Sequence, residues 1–358
     1  MKQADYIIVG QGLAGSCLAE TLLREKQTVV VYASAQKKAS SEVAAGLYNP
    51  ITGKKMVLTW NASKLFPFLI GYYRKAEETL KTSILYPKKI YRPFSDIQAQ
   101  NDFWAKSTSE SAEFAEAESN NEAFSPYIHN PFGGIATKKS GYVDVKTFLK
   151  AFREKLLETD SFREEELDYH SIVFADNYVE YNGVRAKKII FAEGYHNRFN
   201  PYFSWLPVNG MKGDVITLQI DDYPLKEVVN KHFFIIPLPN GTFRMGSSYI
   251  RNFEDDLPTE NGLKEILEGA NTILKKPFVL INQQAGIRPV VPDHRPIIGE
   301  HPEQPLAVVI NGLGTKGVSL APFAAAELVK FLISGQEIEE SVSVNRFNYL
   351  YFIQKKID

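Results

Sequence analysis

The sequence predicts an α/β protein in which a doubly wound parallel sheet is interleaved with a second domain that has an antiparallel sheet. Largely apolar runs are typical of strands buried in a parallel sheet, and they occur at Tyr6–Val9, Thr28–Tyr32, Lys187–Ala192 and Leu306–Ile310. Short strand-like runs between turn residues favour antiparallel pairing, and these occur at Lys89–Arg92, Val215–Leu218 and Phe233–Ile236. Because the first signal is present at the start, middle and end, we expect the chain to cross between the domains several times.

Helical segments are predicted between these strands. Their positions are Ala14–Glu25, 61–81, Val145–Leu157 and Ala321–Leu332, with one or two exposed helices between 101 and 124. Asp144 is placed to cap the helix that begins at Val145. The stretch Lys37–Gly53 is rich in small residues and predicts a long irregular loop.

Length and composition indicate a globular protein of about two domains. The 358 residues are 44% hydrophobic and 23% charged, and 41 Lys and Arg nearly balance 42 Asp and Glu. This balance gives no general attraction to nucleic acid or to an anionic membrane. Cys17 is the single cysteine, so no internal disulfide can form, and no apolar run approaches the roughly 20 residues of a membrane span. We therefore expect a cytoplasmic protein without a membrane span.

A glycine-rich loop follows the first strand and opens the first helix. In Gly10-Gln11-Gly12-Leu13-Ala14-Gly15, the first glycine permits a tight turn and the second lets the backbone approach a pyrophosphate. The third lets the helix pack close to the strand, and the helix N-terminus offers N–H groups to the phosphates. A second strand returns at Thr28–Tyr32, so the loop lies in the context that a dinucleotide-binding Rossmann unit requires.

One part of that pattern is missing. An acidic residue usually ends the second strand and accepts hydrogen bonds from the ribose, whereas this sequence has Ala33 and Ser34 there. Ser34 could make a weaker contact, and Lys37 and Lys38 could instead meet a 2′-phosphate, which would favour NADP. The preferred interpretation is that Ala33 relaxes ribose recognition and the lysines are solvated.

Two C-terminal segments add a second recognition region. Gly286-Ile287-Arg288-Pro289 is followed by Asp293, and Gly312–Gly317 is another glycine loop that opens a helix. A helix N-terminus at each end of the chain suits a cofactor with a pyrophosphate and a ring whose reduced form carries negative charge.

With these segments, and with Gly141–Asp144 and Phe191–Gly194 between them, the chain resembles the FAD-dependent D-amino acid oxidase superfamily, including glycine oxidase and sarcosine oxidase. The resemblance implies oxidation of the C–N bond of a small amine or amino acid, with hydride transfer to flavin N5 to give an imine. It also implies an FAD-binding domain at 1–84, 141–200 and 285–358. The substrate domain would then comprise 85–140 and 201–284.

The resemblance implies non-covalent FAD, because Cys17 lies on the dinucleotide helix and no histidine precedes His129. Residues 40–50 correspond to the family loop that runs from the ribose past the pyrophosphate to the flavin. The predicted cofactor-binding residues are Gly10, Gly12, Leu13, Ala14, Gly15, Ser34, Ser40, Ser41, Ala45, Gly46, Gly194, Gly312, Gly314, Thr315, Lys316 and Gly317.

Three residues are candidates for catalysis. Arg288 matches the family arginine that forks onto a substrate carboxylate, although an ion pair with Asp293 is the structural alternative. Tyr249 could provide a phenol. Arg244 falls where sarcosine oxidase has a lysine that promotes reaction with oxygen, but an exposed arginine at a strand end is the simpler expectation.

The pocket departs from that of glycine oxidase, which puts glycine itself in doubt as the substrate. Phe234 replaces a substrate-orienting tyrosine of that enzyme, and Thr315 replaces its second arginine. Oxygen or another electron acceptor would complete the reaction, and the oligomeric state stays open. The histidines show no metal-ligand spacing, so no metal is expected.

Three alternative functions stay open. Oxidation of a 2-hydroxy acid or polyol by an FAD-dependent dehydrogenase is the first, and a non-catalytic flavin-binding interaction module is the second. A role in tRNA modification is the third. The flavin domain of the bifunctional tRNA uridine-modifying enzyme belongs to the same superfamily, but there it is fused to a methyltransferase that this chain lacks.

Overall fold

The computed structural model describes residues 1–37, 39–53, 55–106 and 109–356. In these residues the helices are α1 Leu13–Arg24, α2 Ala62–Leu80, α3 Ile97–Lys106, α4 Ser109–Phe114, α5 Asn121–Phe124, α6 Val145–Glu158, α7 Glu260–Ile273, α8 Gly317–Ser334 and α9 Asn348–Gln354. The strands are β1 Lys2–Gln3, β2 Tyr6–Val9, β3 Val29–Ala33, β4 Leu47–Tyr48, β5 Ile51–Thr52, β6 Val57–Leu58, β7 Leu85–Pro87, β8 Ile90–Pro93, β9 Ala115–Ala117, β10 Gly134–Thr137, β11 Gly141–Val143, β12 Phe162–Glu164, β13 Val173–Phe174, β14 Val179–Tyr181, β15 Val184–Ala186, β16 Lys188–Phe191, β17 Asn209–Ile220, β18 Val228–Asn230, β19 Phe234–Pro237, β20 Phe243–Gly246, β21 Phe278–Val290, β22 Ile297–Glu300 and β23 Ala307–Asn311.

A six-stranded sheet in the order β12-β3-β2-β16-β23-β22 forms the centre of the first domain. Its first five strands are parallel and β22 is antiparallel to β23. Side chains alternate between the faces of a strand, so Ile8 packs among α1, α2, α6 and α8, while Ile7 packs against the small sheet β1-β15-β14-β13. Both faces are therefore covered, which explains why the strands read as continuous apolar runs.

Local sequence signals place several elements within a few residues of their predicted positions. Helix α1 begins at Leu13, directly after Gly12 of the first glycine loop, and its buried residues include Leu18 and Leu22. Helix α6 begins after Asp144, whose Oδ1 accepts a hydrogen bond of 3.1 Å from the N–H of Thr147. The predicted cap at Asp144 is thus confirmed.

An eight-stranded sheet in the order β21-β17-β20-β19-β18-β8-β10-β9 forms the second domain. All neighbouring strands in it are antiparallel except β18 and β8, so the predicted antiparallel sheet is confirmed. Helix α7 packs on one face through Ile266 and Ile273, and the opposite face is turned towards the first domain. The predicted domain boundary at 285 falls within β21, and the exact boundaries stay a prediction.

The segment between 97 and 124 contains more elements than the sequence predicted. Helices α3, α4 and α5 are present, and β9 lies between the last two. Its sequence, Ala115-Glu116-Ala117, has no strand propensity of its own. It is a strand because it pairs with β10, where Ile135 lies opposite Ala117.

Helix α8 corrects the expectation that no apolar segment approaches the length of a membrane span. The segment Gly314–Ser334 is 21 residues long with a mean hydropathy of 1.4, which is long and apolar enough to cross a membrane by composition alone. In the structure, however, half of this window is buried inside the protein, with Leu320, Ala324 and Leu328 in the core beside α1 and α2. Burial inside the first domain explains its apolar composition.

Candidate functional site

A cleft of about 1730 Å³ separates the two large sheets. It is lined by most of the residues predicted to bind a cofactor or substrate, although they come from both ends of the chain. The predicted residues on its walls are Gly10, Gly12, Leu13, Ala14, Ser34, Ser40, Ser41, Ala45, Gly46, Gly194, Tyr249, Arg288, Gly312, Gly314, Thr315, Lys316 and Gly317. Gly15 and Arg244 do not line it.

The first glycine loop is shaped by close backbone packing. A Cβ on Gly15 would lie 1.9 Å from the carbonyl oxygen of Gly10, and a Cβ on Gly10 would lie 2.5 Å from that of Ala192. These two glycines let α1 and β16 approach the loop, so Gly15 acts in packing rather than on the cleft wall. A Cβ on Gly12 would meet nothing closer than 3.5 Å, so its missing side chain leaves space in the cleft for a ligand.

The second glycine loop brings another helix N-terminus beside the first. The loop follows β23, and both Gly312 (φ +76°) and Gly314 (φ +52°) have the left-handed backbone that favours glycine. A Cβ on Gly317 would lie 3.3 Å from Cδ2 of Leu13, so α8 and α1 begin next to each other. Two helix N-termini at one place create a positive region suited to anionic groups.

Lys316 adds a charged group to this loop. Its Nζ donates to Oγ1 of Thr59 at 3.3 Å, and burial lowers the pKa of its ammonium group. Nearby, the buried amide nitrogen Nδ2 of Asn49 has no hydrogen-bond partner among the described residues. Thr59 joins the two, because its hydroxyl donates to the Asn49 carbonyl at 3.4 Å. The part of the cleft wall formed by Lys316 and Asn49, where the flavin is expected, therefore has N–H donors available for a bound group.

The loop predicted between the second strand and the flavin is held by two separate elements of the cofactor domain, α1 and β11. Ser41 Oγ accepts a hydrogen bond of 3.0 Å from the N–H of Leu13, at the start of α1. Gly46 has φ +74°, and a Cβ there would lie 1.9 Å from the carbonyl oxygen of Val143. The backbone therefore comes close to both the helix N-terminus and β11, as a loop lining a cofactor requires.

Arg288 lies on the substrate-domain wall of the cleft. A Cβ on Gly213, on the neighbouring strand, would lie 2.0 Å from Nη2 of Arg288, so the guanidinium packs flat across that glycine. Its Nη1 donates to the Ser248 carbonyl at 3.4 Å, and its Cζ lies 5.1 Å from the ring centre of Tyr249, which is 61% exposed. Burial lowers the pKa of the guanidinium, and no ion pair among the described residues includes it.

The structural alternative for Arg288 is wrong. Asp293 pairs with Arg346, whose Nε lies 2.9 Å from Oδ2 of the aspartate. Because the carboxylate of Asp293 is paired with Arg346, the guanidinium of Arg288 stays available to the cleft.

The expectation that Arg244 is an exposed residue at a strand end is also wrong. Arg244 is a half-buried residue inside β20, and burial lowers its pKa. Its Nη1 donates to the carbonyl oxygen of Ala44 at 3.1 Å, so it contacts the flavin-side loop from behind. Since it does not line the cleft, its contact favours positioning of that loop over direct contact with oxygen.

The adenosine end of the cleft has a different arrangement from the one predicted. Nζ of Lys37 lies 2.9 Å from Oε1 of Glu166, so this lysine is paired rather than free for a 2′-phosphate. Lys38 lies outside the described residues. Ser34 Oγ accepts from the N–H of Gln36 at 3.1 Å, so one of its two lone pairs stabilises a local turn.

Sequence reasoning missed several groups on the cleft wall. Arg153, on α6, donates from Nε to Oε1 of Gln11 at 2.7 Å and so stands beside the first glycine loop. Arg92 is 3% exposed, donates to the carbonyls of Ile51 and Gly53, and has a buried Nε without a partner in the described residues. No local motif surrounds either arginine, and only the fold brings them to the cleft.

Together these features fit FAD. The space beside Gly12, the paired helix N-termini and the donors at Lys316 and Asn49 offer sites for a pyrophosphate and for a flavin ring. Cys17 is fully buried, the Tyr72 hydroxyl donates to its backbone carbonyl at 3.3 Å, and burial raises the pKa of its thiol to about 12. Among the described residues, no group of three or more His, Cys, Asp or Glu could hold a metal ion.

Comparison with known proteins gives concordant results. Residues 5–331 match the model of the FAD dependent oxidoreductase family. Glycine oxidase from Bacillus subtilis is 28% identical over 47% of this chain and 44% of its own length. The tRNA 5-methylaminomethyl-2-thiouridine biosynthesis bifunctional protein from Idiomarina loihiensis is 24% identical over 96% of this chain and 59% of its own. The chain thus spans about half the length of the curated relatives it matches.

Among solved structures, glycine oxidase from Bacillus cereus is similar to this chain with a TM-score of 0.75. The match covers 94% of this chain and 96% of that one, at 20% sequence identity. At this identity the likeness shows the fold: a dinucleotide-binding domain joined to an antiparallel-sheet domain.

Proposed function

Because this chain belongs to the FAD-dependent oxidoreductase family, we propose that it oxidises the C–N bond of a small amine or amino acid that carries a carboxylate. Bound FAD would supply the two-electron acceptor for a hydride from the carbon next to the nitrogen. With loss of a proton from the nitrogen the substrate would become an imine, which water hydrolyses to a carbonyl compound and ammonia or an amine. The protein must hold that carbon against the cofactor and keep the charges around it in place.

The observation that supports this proposal is the guanidinium of Arg288, which lines the cleft without an acidic partner among the described residues. A planar guanidinium can donate two parallel hydrogen bonds to a carboxylate. That of Arg288 is half-buried, faces the cleft and has no carboxylate partner within the described residues. Partial desolvation strengthens its attraction for an anion, so a substrate carboxylate would pair with it and gain a fixed orientation.

The wall next to Arg288 would shape the rest of the substrate site. Val215 on β17 and Phe234 on β19 line the cleft from the two strands that flank β20, with Gly246 of β20 between them. Apolar side chains and a glycine leave room for a substrate and exclude water from it. Since Phe234 has no hydroxyl, orientation in this site depends on Arg288, and Tyr249 stacks against its guanidinium from the exposed side.

Oxidation of an amine attached to tRNA is a second candidate. It is favoured by the match to the tRNA-modifying protein, which extends over 96% of this chain. Against it, the exposed Glu254 and Asp256 balance the exposed Lys146 and Arg198 on the cleft wall, so the charges there give no net attraction for a polyanion. We therefore prefer a small substrate.

A 2-hydroxy acid would also place its carboxylate on Arg288, so C–O oxidation is an alternative that the fold permits. A flavin-binding interaction module without catalysis is the alternative outside enzymes. Oxygen or another molecule would accept the electrons. We also propose a cytoplasmic location, in line with a single, buried Cys17.

The test is an anaerobic substrate panel. The purified protein is expected to show flavin absorption, and the bands should bleach with an amino acid or N-methyl amino acid. Bleaching by 2-hydroxy acids alone, or by an aminomethylated tRNA alone, would favour the corresponding alternative. Arg288→Met should raise the substrate concentration for half-maximal bleaching by at least tenfold. The control is Arg251→Met, which removes an exposed arginine outside the cleft. No bleaching with any member of the panel would favour the interaction module.

A further inference from the structure

The adenosine end of the cleft lacks the carboxylate that usually ends the second strand of a dinucleotide-binding sheet. An acid at that place accepts hydrogen bonds from ribose hydroxyls, and here β3 ends at Ala33. We propose that Glu166, which follows the neighbouring strand β12, supplies this carboxylate to the adenosine ribose of FAD. The proposal rests on FAD binding by the family fold and is independent of the substrate.

Strand register brings the two positions together. Strands β12 and β3 are parallel, with Glu164 opposite Ala33. The N–H of the next residue, Glu165, donates to the carbonyl of Ala33 at 3.1 Å. Since parallel strands end at the same edge of a sheet, the residues after β12 emerge beside the end of β3, where the ribose of a dinucleotide lies.

The neighbouring glutamates are distinguished by their contacts. Glu164 is exposed and does not line the cleft. Glu165 also lines the cleft, but it accepts from the Tyr181 hydroxyl at 2.9 Å on Oε1 and from Nδ2 of Asn182 at 3.0 Å on Oε2, so each of its oxygens already has a partner. Glu166 lines the cleft, and the described residues give it one ion pair, through Oε1.

Lys37 holds Glu166 in this position. Its Nζ lies 2.9 Å from Oε1, which leaves Oε2 to accept from a ligand hydroxyl. Glu193 is a further carboxylate on the cleft wall, but it already accepts from the Tyr169 hydroxyl at 2.5 Å and from Nδ2 of Asn200 at 2.7 Å. Glu166 is therefore the acid that can bind the ribose.

Binding of ADP and 2′-deoxy-ADP to the apoprotein, prepared from the full chain, tests the proposal by calorimetry. The two ligands differ in one ribose hydroxyl, so their affinity ratio isolates its contact. A hydrogen bond to a charged group contributes about 1.5–3 kcal/mol, so the wild type should bind ADP at least tenfold more tightly than 2′-deoxy-ADP. Glu166→Ala should bind both equally, and FAD about tenfold more weakly than the wild type does.

Glu164→Ala is the matched control, since it removes an exposed glutamate two residues away and should keep the wild-type ratio. Thermal unfolding verifies that both variants fold. Their melting temperatures are expected within about 2 °C of the wild type, because the replaced side chains are exposed. The proposal is overturned if Glu166→Ala keeps the tenfold ratio, if the wild type shows no ratio, or if both variants lose it. None of these results depends on the oxidation reaction, so they do not bear on the proposed function.

Discussion

Gly213 offers a direct test of how Arg288 binds a carboxylate. The guanidinium lies across the Cα of Gly213, and a Cβ there would be 2.0 Å from Nη2 and 2.4 Å from both Cζ and Nη1. To restore an ordinary contact of 3.4 Å, the guanidinium in Gly213→Ala must withdraw by about 1.4 Å. Around Gly213 the backbone of β17 is paired with β21 on one side and, through Lys212, with Ile250 on the other, which resists its moving away instead.

A displacement of this size should break the forked contact. Misplacing a binding group by about 1 Å can cost on the order of 100-fold in rate, so we expect kcat/KM for a carboxylate substrate to fall roughly 100-fold. An amine of similar size without a carboxylate should lose less than threefold, because it does not use the guanidinium. Steady-state kinetics with both substrates, together with spectral titration of a carboxylate inhibitor, measures the difference.

Gly71→Ala is the control, because a Cβ at Gly71 in α2 meets no atom within 4 Å. It should leave the kinetics unchanged and stabilise the protein by about 0.5–1 kcal/mol through helix propensity. The reasoning is refuted if Gly213→Ala keeps the wild-type kcat/KM for carboxylates. An equal loss for both substrates would also refute it, since the damage would then not be specific to the carboxylate contact.

Three further predictions concern the cofactor domain. Gly15→Ala should weaken FAD binding at least 100-fold or lower the melting temperature, because its Cβ would lie 1.9 Å from a fixed carbonyl oxygen; wild-type values in both measurements would contradict this. Burial raises the pKa of Glu193, so the folded state holds its proton more tightly and stability decreases as pH rises above the unfolded value of 4.5. Glu193→Gln should therefore gain melting temperature relative to the wild type between pH 5 and pH 8, and a constant difference would exclude this cause. As apoprotein at pH 7, Lys316→Met should unfold at the same temperature as the wild-type apoprotein or at a higher one, since it removes a desolvated cation. A marked decrease in melting temperature would show that the hydrogen bond to Thr59 outweighs the desolvation.

Features of the site that depend on residues close together in the chain could be predicted from the sequence. The loop Gly10–Gly15 was predictable because strand, turn and helix follow one another directly, and the same holds for Gly312–Gly317 and for the cap at Asp144. The close approach of backbones at Gly10 and Gly15 leaves space only for glycine, so these positions carry their structural meaning locally. Cofactor class and family follow from these loops.

Contacts between distant segments were decided by the tertiary structure alone. Asp293 was as close to Arg288 in sequence as any acid, yet it pairs with Arg346 because that arginine returns to it from the C-terminal segment. Arg244 reads as exposed from its neighbours, but the flavin-side loop covers it. Ala33 showed only that an acid was missing; the register of β12 against β3 brought Glu166 to the same edge. Sequence determined the local backbone that receives the dinucleotide, whereas sheet pairing determined which charged side chains surround it, because those contacts join residues that no local pattern connects.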